Sequence, residues 1–432
     1  MSKYLVNTSD LTSIADAIRV KGGTSSPLTY PAGFISAIED ISAGDGNGDL
    51  NVFIENRKTI TSFTGSISTI GQGAFAYCKS LSTIDFPNCI TIGSNAFYYC
   101  LAFSIASFPN CETIYYGAFQ SCYSLAIANF PNCTSIDSYT FFYCSNLSII
   151  SFPKCSIIGE MGFGQCKGLL SASFPSCTAI GSSAFLNCRT LSNIYFPECE
   201  IIGNGAFDLC SAISEAIFPN CTEIGNAAFS GCTGLTTASF PNCTVIGNSA
   251  FAGCNNLTTI DFSTSCSEIG SSAFADCANL TTVDFPNCLS IKVLAFARCS
   301  NLISAHFSNC SIIDNRGFLR CTNLIDISFP NCKIISYSAF ERCSSLTTAS
   351  FPNCIEIGSY AFYDCHNLLS LYLTGSSIVS LNYSNTFFET PISNYTDYTN
   401  GVHGSIYVPS SLYDTYITAT NWSIYSSRFV SM

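Results

Sequence analysis

Twenty-seven cysteines and three histidines are the residues in this chain best suited to chemistry. Thiolates and imidazoles bind zinc, and paired thiols run redox reactions, but both uses need particular spacings. No Cys-x-x-Cys occurs, which excludes zinc ribbons and thioredoxin-type sites. His306, His366 and His403 lie far apart in sequence, with no nucleophile or metal-ligand spacing beside them. Asp45-Gly-Asn47-Gly-Asp49 has the alternating oxygen donors that open a calcium loop. Leu50 and Asn56, however, stand where such a loop needs its glycine and its closing glutamate. That stretch reads as a linker, and the chain reads as non-enzymatic, with no cofactor and no metal.

The cysteines point instead to architecture. From Cys78 to Cys254 one falls every 11 residues; the next step, to Cys266, is 12, and the spacing of 11 then runs on to Cys365. Two contexts alternate, so the period is 22 residues. One is Phe-Pro-Asn-Cys, as at Phe218–Cys221; the other is Ala-Phe-x-x-Cys, as at Ala228–Cys232. A self-similar chain of this period is a solenoid. One coil offers about eight apolar side chains worth ~1.5–3 kcal/mol each on burial. Ordering its backbone costs ~1–2 kcal/mol per residue. Single coils are therefore unstable, and stacking must supply the difference.

Composition agrees. Hydrophobic residues make up 47% and charged residues only 10%, with a mean hydropathy of +0.33. The apolar residues are dispersed, and no run approaches the ~18 that a membrane-spanning helix needs. A net charge of −12 argues against nucleic acid as a partner. Cysteines in a ladder point the same way, their number is odd, and buried thiols behave as small hydrophobes. The expectation is reduced core thiols. The turn asparagines, such as Asn110 and Asn242, are expected to satisfy backbone groups of their own or the adjacent coil.

Leu235-x-x-Ala238-x-Phe240-x-x-Cys243 follows the leucine-rich repeat strand signature. Leu257-x-x-Ile260-x-Phe262-x-x-x-Cys266 follows it with one inserted residue. The recurring Ala-Phe-x-x-Cys-x-x-Leu unit resembles the BspA-type bacterial leucine-rich repeats over roughly residues 60–373. The resemblance implies a right-handed superhelical solenoid with parallel β-strands and irregular or short helical return segments. It also implies a surface or adhesion setting and no catalytic residues. The inserted residue within Ser263–Cys266 is expected to bulge at a turn and leave the neighbouring coils in phase.

The ends differ. Residues 1–41 read as a small helical module, 42–59 as a linker and entry to the solenoid, and 374–432 as a non-repeat C-terminal cap containing Trp422. Tyr4–Thr24 resembles a short module at the start of tail-associated proteins in phages and prophages of Gram-positive bacteria. Met1–Asp10 breaks any hydrophobic region early, so no Sec signal is expected. A virion or extracellular, cell-surface location follows from these resemblances.

Three surfaces are candidates for binding. The residue before each Phe should face outward on its strand; with its neighbours it forms a hydroxyl-rich sheet that includes Tyr195, Asp261, Asp284 and His306. Tyrosines crowd the early coils at non-core positions: Tyr77, Tyr98, Tyr99, Tyr115, Tyr116, Tyr123, Tyr139 and Tyr143. Arg298, Arg320 and Arg342 recur at one repeat position, as a basic stripe flanked by Asp276, Asp364 and Glu341. The functions to weigh are attachment by a phage or prophage tail to a bacterial surface, adhesion of BspA type to host protein or glycan, and a passive spacer.

Overall fold

The computed structural model describes residues 61–65, 67–262, 265–393 and 402–432. The expected N-terminal helices and linker lie outside them. The chain divides into two compact units, Met1–Ile213 and Ser214–Met432. Each is a parallel β-solenoid of ~22-residue period, and each is built from the same three-sided coil.

The first side is a three-residue strand, as at Ile105–Ser107, whose burial alternates exposed, buried, exposed. That is the two-residue period of a half-buried strand. Ala106 points into the core, Ile105 and Ser107 to solvent. The second side is a two-residue strand, as at Thr113–Ile114, with its Ile buried. Each strand pairs in parallel with its counterpart one coil on: Ile105 with Ile127 and Ile127 with Ile149, Ile92 with Ile114 and Ile114 with Ile136. The third side is the Ala-Phe-x-x-Cys segment, a chain of turns without helix.

In the second unit the same pairing crosses the insertion. Asp261 still pairs with Ser239, and Ile269 with both Ile246 and Ile291, so the coils stay in phase. Ser265 takes the place of the turn asparagine, donating to the carbonyls of Pro241 and Cys243.

Two phenylalanine columns fill the interior. Phe97 stacks on Phe75 and Phe119 at 5.2 and 5.0 Å between ring centres, nearly parallel. Phe108 and Phe130 form the other column at 5.3 Å, and Phe119 meets Phe130 edge-on at 5.7 Å. In the second unit Phe229 repeats this: 5.3 Å from Phe251, and edge-on to Phe240 at 5.8 Å. Offset stacks along a column and edge-to-face contacts between columns suit the aromatic quadrupole.

All 27 cysteines are buried as free thiols, and they do more than fill space. In the Ala-Phe-x-x-Cys turns the thiol donates to the Phe carbonyl of the preceding coil. Cys100 reaches Phe75 at 2.9 Å, Cys122 reaches Phe97 at 3.0 Å and Cys144 reaches Phe119 at 3.1 Å. In the Phe-Pro-Asn-Cys turns it donates two residues onward, as from Cys133 to Ser135 at 3.1 Å. The turn asparagines also bond across coils: Asn110 to the Pro87 carbonyl and Asn242 to that of Pro219, at 2.8 and 2.7 Å.

The pairing continues beyond residue 373. Glu356–Ile357 pairs with Ser380–Leu381, and Ser370–Tyr372 with Ser405–Val408, which pairs in turn with Phe429–Ser431. Thr386-Phe387-Phe388-Glu389-Thr390 takes the place of Ala-Phe-x-x-Cys, and Phe387 stacks on Phe362 at 5.6 Å. The helix Tyr413–Thr418 (α1) and the turn after it then close the core. Trp422 is buried and donates Nε1–H to the Val379 carbonyl at 2.8 Å, while Tyr416 Oη accepts the Val379 N–H. Trp422 is thus part of the cap's packing, as its sequence setting suggests.

Two consequences are measurable. Phe229→Ala removes a ring shared by three neighbouring phenylalanines and should cost ~3–5 kcal/mol in urea melts. Ser239→Ala, on the outward face, should stay within ~0.5 kcal/mol; equal costs would mean that the faces are assigned wrongly. The second consequence is alkaline lability. Burial pushes the Cys89 thiol from 9.0 up to about 12, and the Cys133, Cys177 and Cys288 thiols up to about 11. A raised folded-state value adds stability below the unfolded value, and that contribution is lost as pH rises from about 9 towards the folded value. By pH 10 each such thiol withdraws about 1.4 kcal/mol, so a dozen exceed an ordinary folding free energy of ~5–15 kcal/mol. In reducing buffer, circular dichroism should show steep unfolding between about pH 9 and 10.5; a signal unchanged to about pH 11.5 would contradict the buried-thiol account.

Candidate functional site

The tyrosines of the first unit lie on the third side of the coil, and the backbone there explains why. Each Ala-Phe segment is bracketed by two residues with left-handed φ. In one coil these are Asn95 and Tyr99 (φ 56° and 61°); elsewhere they include Gly73 and Tyr77, and Tyr139 and Tyr143. Left-handed backbone costs a residue with a side chain about 1–2 kcal/mol. The compensation is hydrogen bonding. Alternate amides face the next coil: Asn95, Phe97 and Tyr99 donate to the carbonyls of Tyr116, Ala118 and Gln120 at 2.8, 2.7 and 2.9 Å. The amides between them turn back into their own coil, Ala96 to Gly93 and Tyr98 to Asn95. The result is a third ladder, made of turns.

Many side chains on this side splay outward from the ladder, though Ser121, Asn187 and Ser338 are buried, and most of the tyrosines gather there into two groups. Tyr77, Tyr98 and Tyr99 are in mutual ring contact and Tyr123 joins them through Tyr99: Tyr77–Tyr98 is 5.1 Å and Tyr99–Tyr123 5.9 Å, with the Lys79 ammonium 5.4 Å from the Tyr99 ring. Tyr116, Tyr139, Phe142 and Tyr143 form the second group, with steps of 5.4, 5.4 and 4.3 Å. Tyr139 Oη donates to Glu160 at 3.2 Å, and burial followed by that carboxylate raises its pKa. Tyr77, Tyr115, Tyr116, Tyr123 and Tyr143 are exposed. Four successive coils thus present two aromatic patches on this side.

The outward strand column is placed as its spacing suggests. Tyr195 is 58% exposed, Asp261 and Asp284 are exposed and His306 is half-buried. Its polar groups bond along the ladder: Ser239 Oγ donates to Asp261, and His306 Nε2 lies 2.9 Å from Asp326 Oδ2. The face is less uniformly hydroxylic than the sequence suggests, because Ile105 and Ile149 stand exposed on either side of the half-buried Ile127.

The arginine column lies on the third side of the second unit. Arg298 grips Asp276 with two hydrogen bonds, which raise its pKa, and Arg342 Nε lies 3.2 Å from Asp364. Arg320 shows no carboxylate partner among the described residues. The stripe is therefore neutralised at both ends and carries its charge at the centre. A second aromatic group on this side, absent from the sequence reading, joins Tyr337, Tyr360, Tyr363 and Phe388 in steps of 6.1, 5.6 and 5.9 Å, with Arg316 over Tyr337. Its signal was a tyrosine at neighbouring turn positions of successive coils.

These features define a leucine-rich repeat β-solenoid with a turn-built, aromatic-rich side. The BspA type leucine rich repeat region family matches residues 50–170, 134–255, 178–303, 222–331 and 291–403, and the chain belongs to that family. A leucine-rich repeat protein from Bacteroides ovatus has the same fold, at 22% identity and a TM-score of 0.52 over 76% of this chain and 96% of its own. A leucine rich cell surface protein from Faecalibacterium prausnitzii is similar at 25% identity and a TM-score of 0.41, over 64% of this chain and 81% of its own. No curated protein matches the chain. Among the described residues no helix is long and apolar enough to cross a membrane.

The left-handed positions make a direct prediction. Leu209, with φ 61° and an exposed side chain, contributes little packing and carries the full backbone cost. Asn tolerates this conformation far better than Leu. Leu209→Asn should raise stability by ~0.5–1 kcal/mol in urea melts; a loss of that size would show that Leu209 packs more than its exposure indicates.

Proposed function

We propose that this is a non-enzymatic recognition protein that attaches to a protein or glycan on a cell surface through the tyrosine-lined turn side of its first unit. The observation carrying this reading is the clustering of Tyr77, Tyr98, Tyr99 and Tyr123 in one patch and of Tyr116, Tyr139 and Tyr143 in another on successive coils. Tyrosine combines a large rigid contact area with a polar tip and loses little entropy on binding. The family supports a surface or recognition role without chemistry. The hydroxyl-bearing strand face and the centre of the arginine stripe are secondary contact surfaces for the same ligand class. The finer reading, attachment as part of a phage or prophage tail, rests on Tyr4–Thr24, which the family match does not include.

The test uses the backbone. Tyr99→Asn with Tyr143→Asn removes two rings and places a residue suited to left-handed φ at both positions. Labelled full-length protein carrying both changes should bind whole bacterial or host cells at least ~10-fold more weakly, with its melting temperature unchanged or higher. Undiminished binding would overturn the tyrosine reading. If Arg320→Glu alone abolished binding, and salt did the same to the unmodified protein, the arginine stripe would be the contact instead.

A further inference from the structure

We infer that Asp364, His366 and Glu389 form a binding site for a divalent first-row transition-metal ion, with Zn²⁺ the occupant that best fits their donors. This site is independent of the recognition surface of the first unit. Asp364 and His366 flank Cys365 at the end of one turn. Glu389 holds the position of Asp364 in the following turn, where Thr386–Thr390 replaces the Ala-Phe-x-x-Cys pattern. Asp364 and Glu389 both have left-handed φ, 61° and 58°, so the two carboxylates leave the ladder from equivalent positions one turn apart. The turns are locked together by the Phe362–Phe387 stack and by the Asp364 amide donating to the Phe388 carbonyl at 3.1 Å.

One ligand atom from each side chain lies within 4.8 Å of the others. Ligands held ~2.0–2.2 Å from one ion span up to about 4.2 Å, so a modest side-chain rotation brings all three into coordination. The two oxygens of Asp364 are differently placed. Arg342 Nε holds Oδ2 at 3.2 Å. Oδ1 is buried, accepts no hydrogen bond and lies against His366 Nε2. Oδ1 is thus paired with His366 alone; a cation shared with His366 and Glu389 bridges all three side chains. Arg342 then serves as an outer partner that orients the ligating carboxylate.

The donors are one imidazole nitrogen and two carboxylate oxygens. Ca²⁺ and Mg²⁺ take oxygen ligands, whereas a mixed nitrogen and oxygen set suits Zn²⁺, Co²⁺, Ni²⁺ or Mn²⁺. The nearby Cys365 thiol is committed to the Phe340 carbonyl at 3.1 Å and stays out of the set. An ion here would staple the last Ala-Phe turn to the turn that caps it.

Co²⁺ is the probe, because its spectrum separates these donors from the many thiols. Reduced, full-length protein should bind one Co²⁺ with visible d–d absorption and no thiolate charge-transfer band, and Zn²⁺ should displace it while Ca²⁺ does not. Glu389→Gln and His366→Ala, both outside the core, should keep the native circular dichroism and each weaken binding at least ~10-fold. Absence of binding up to about 1 mM Co²⁺, a thiolate band, or undiminished affinity in either variant overturns the site.

Discussion

The constraint behind this structure is that no coil can satisfy its own backbone. A strand of two or three residues has no partner within its coil, and neither have the forward-facing amides of the Ala-Phe turns. All find partners one coil away, at the ~4.8 Å spacing of neighbouring strands. The same spacing lets the phenylalanine rings stack and lets a thiol reach the Phe carbonyl behind it, as Cys122 reaches Phe97. Cysteine suits this position because it is small, apolar and still a donor. A serine would be more polar in a dry site, and an alanine would leave the carbonyl one bond short.

That division frees the surface. Core positions are fixed by contacts to both neighbouring coils, so Phe, Cys, Ile and Ala recur. The left-handed positions are held by backbone hydrogen bonds, and at many of them the side chain is free to vary. They carry Gly231 and Gly253 in two coils, Tyr99 and Tyr143 in others, and Arg298, Arg320 and Arg342 in a third set. Binding character can therefore change from coil to coil without changing the fold, and the aromatic and basic stretches occupy the same repeat position.

The period, the parallel strands and the buried columns were legible because each coil repeats the demands of the last: Phe at fixed spacing from Cys, with Ile or Leu following. The outward column was legible by strand alternation, and Tyr195 and Asp284 stand exposed as that requires. The turn ladder was not legible. Its left-handed residues are often Leu, Met, Tyr or Arg, which ordinarily avoid that conformation, and only scattered signs such as Gly73, Gly117 and Asn95 marked the two positions. The thiol donors were missed because hydrophobic burial alone accounts for a cysteine column. The continuation past residue 373 was missed because Thr386 and Thr390 replace the marker residues. Thr390 keeps the geometry by donating to the Phe387 carbonyl at 2.7 Å.

The turn ladder has a direction, and this makes its two ends unequal. Every forward-facing amide needs a carbonyl from the coil that follows, so the last coil is the one that requires a substitute. The capping turn supplies it: the Phe362 and Asp364 amides donate to the carbonyls of Thr386 and Phe388 at 3.1 Å each. No further thiol column then secures the capping turn. Trp422, Tyr416 and Tyr425 cover its open face, each tied by a hydrogen bond to the Val379–Ser384 segment. The left-handed carboxylates of Asp364 and Glu389 project at this junction, where a single added bond would join the repeating ladder to its cap.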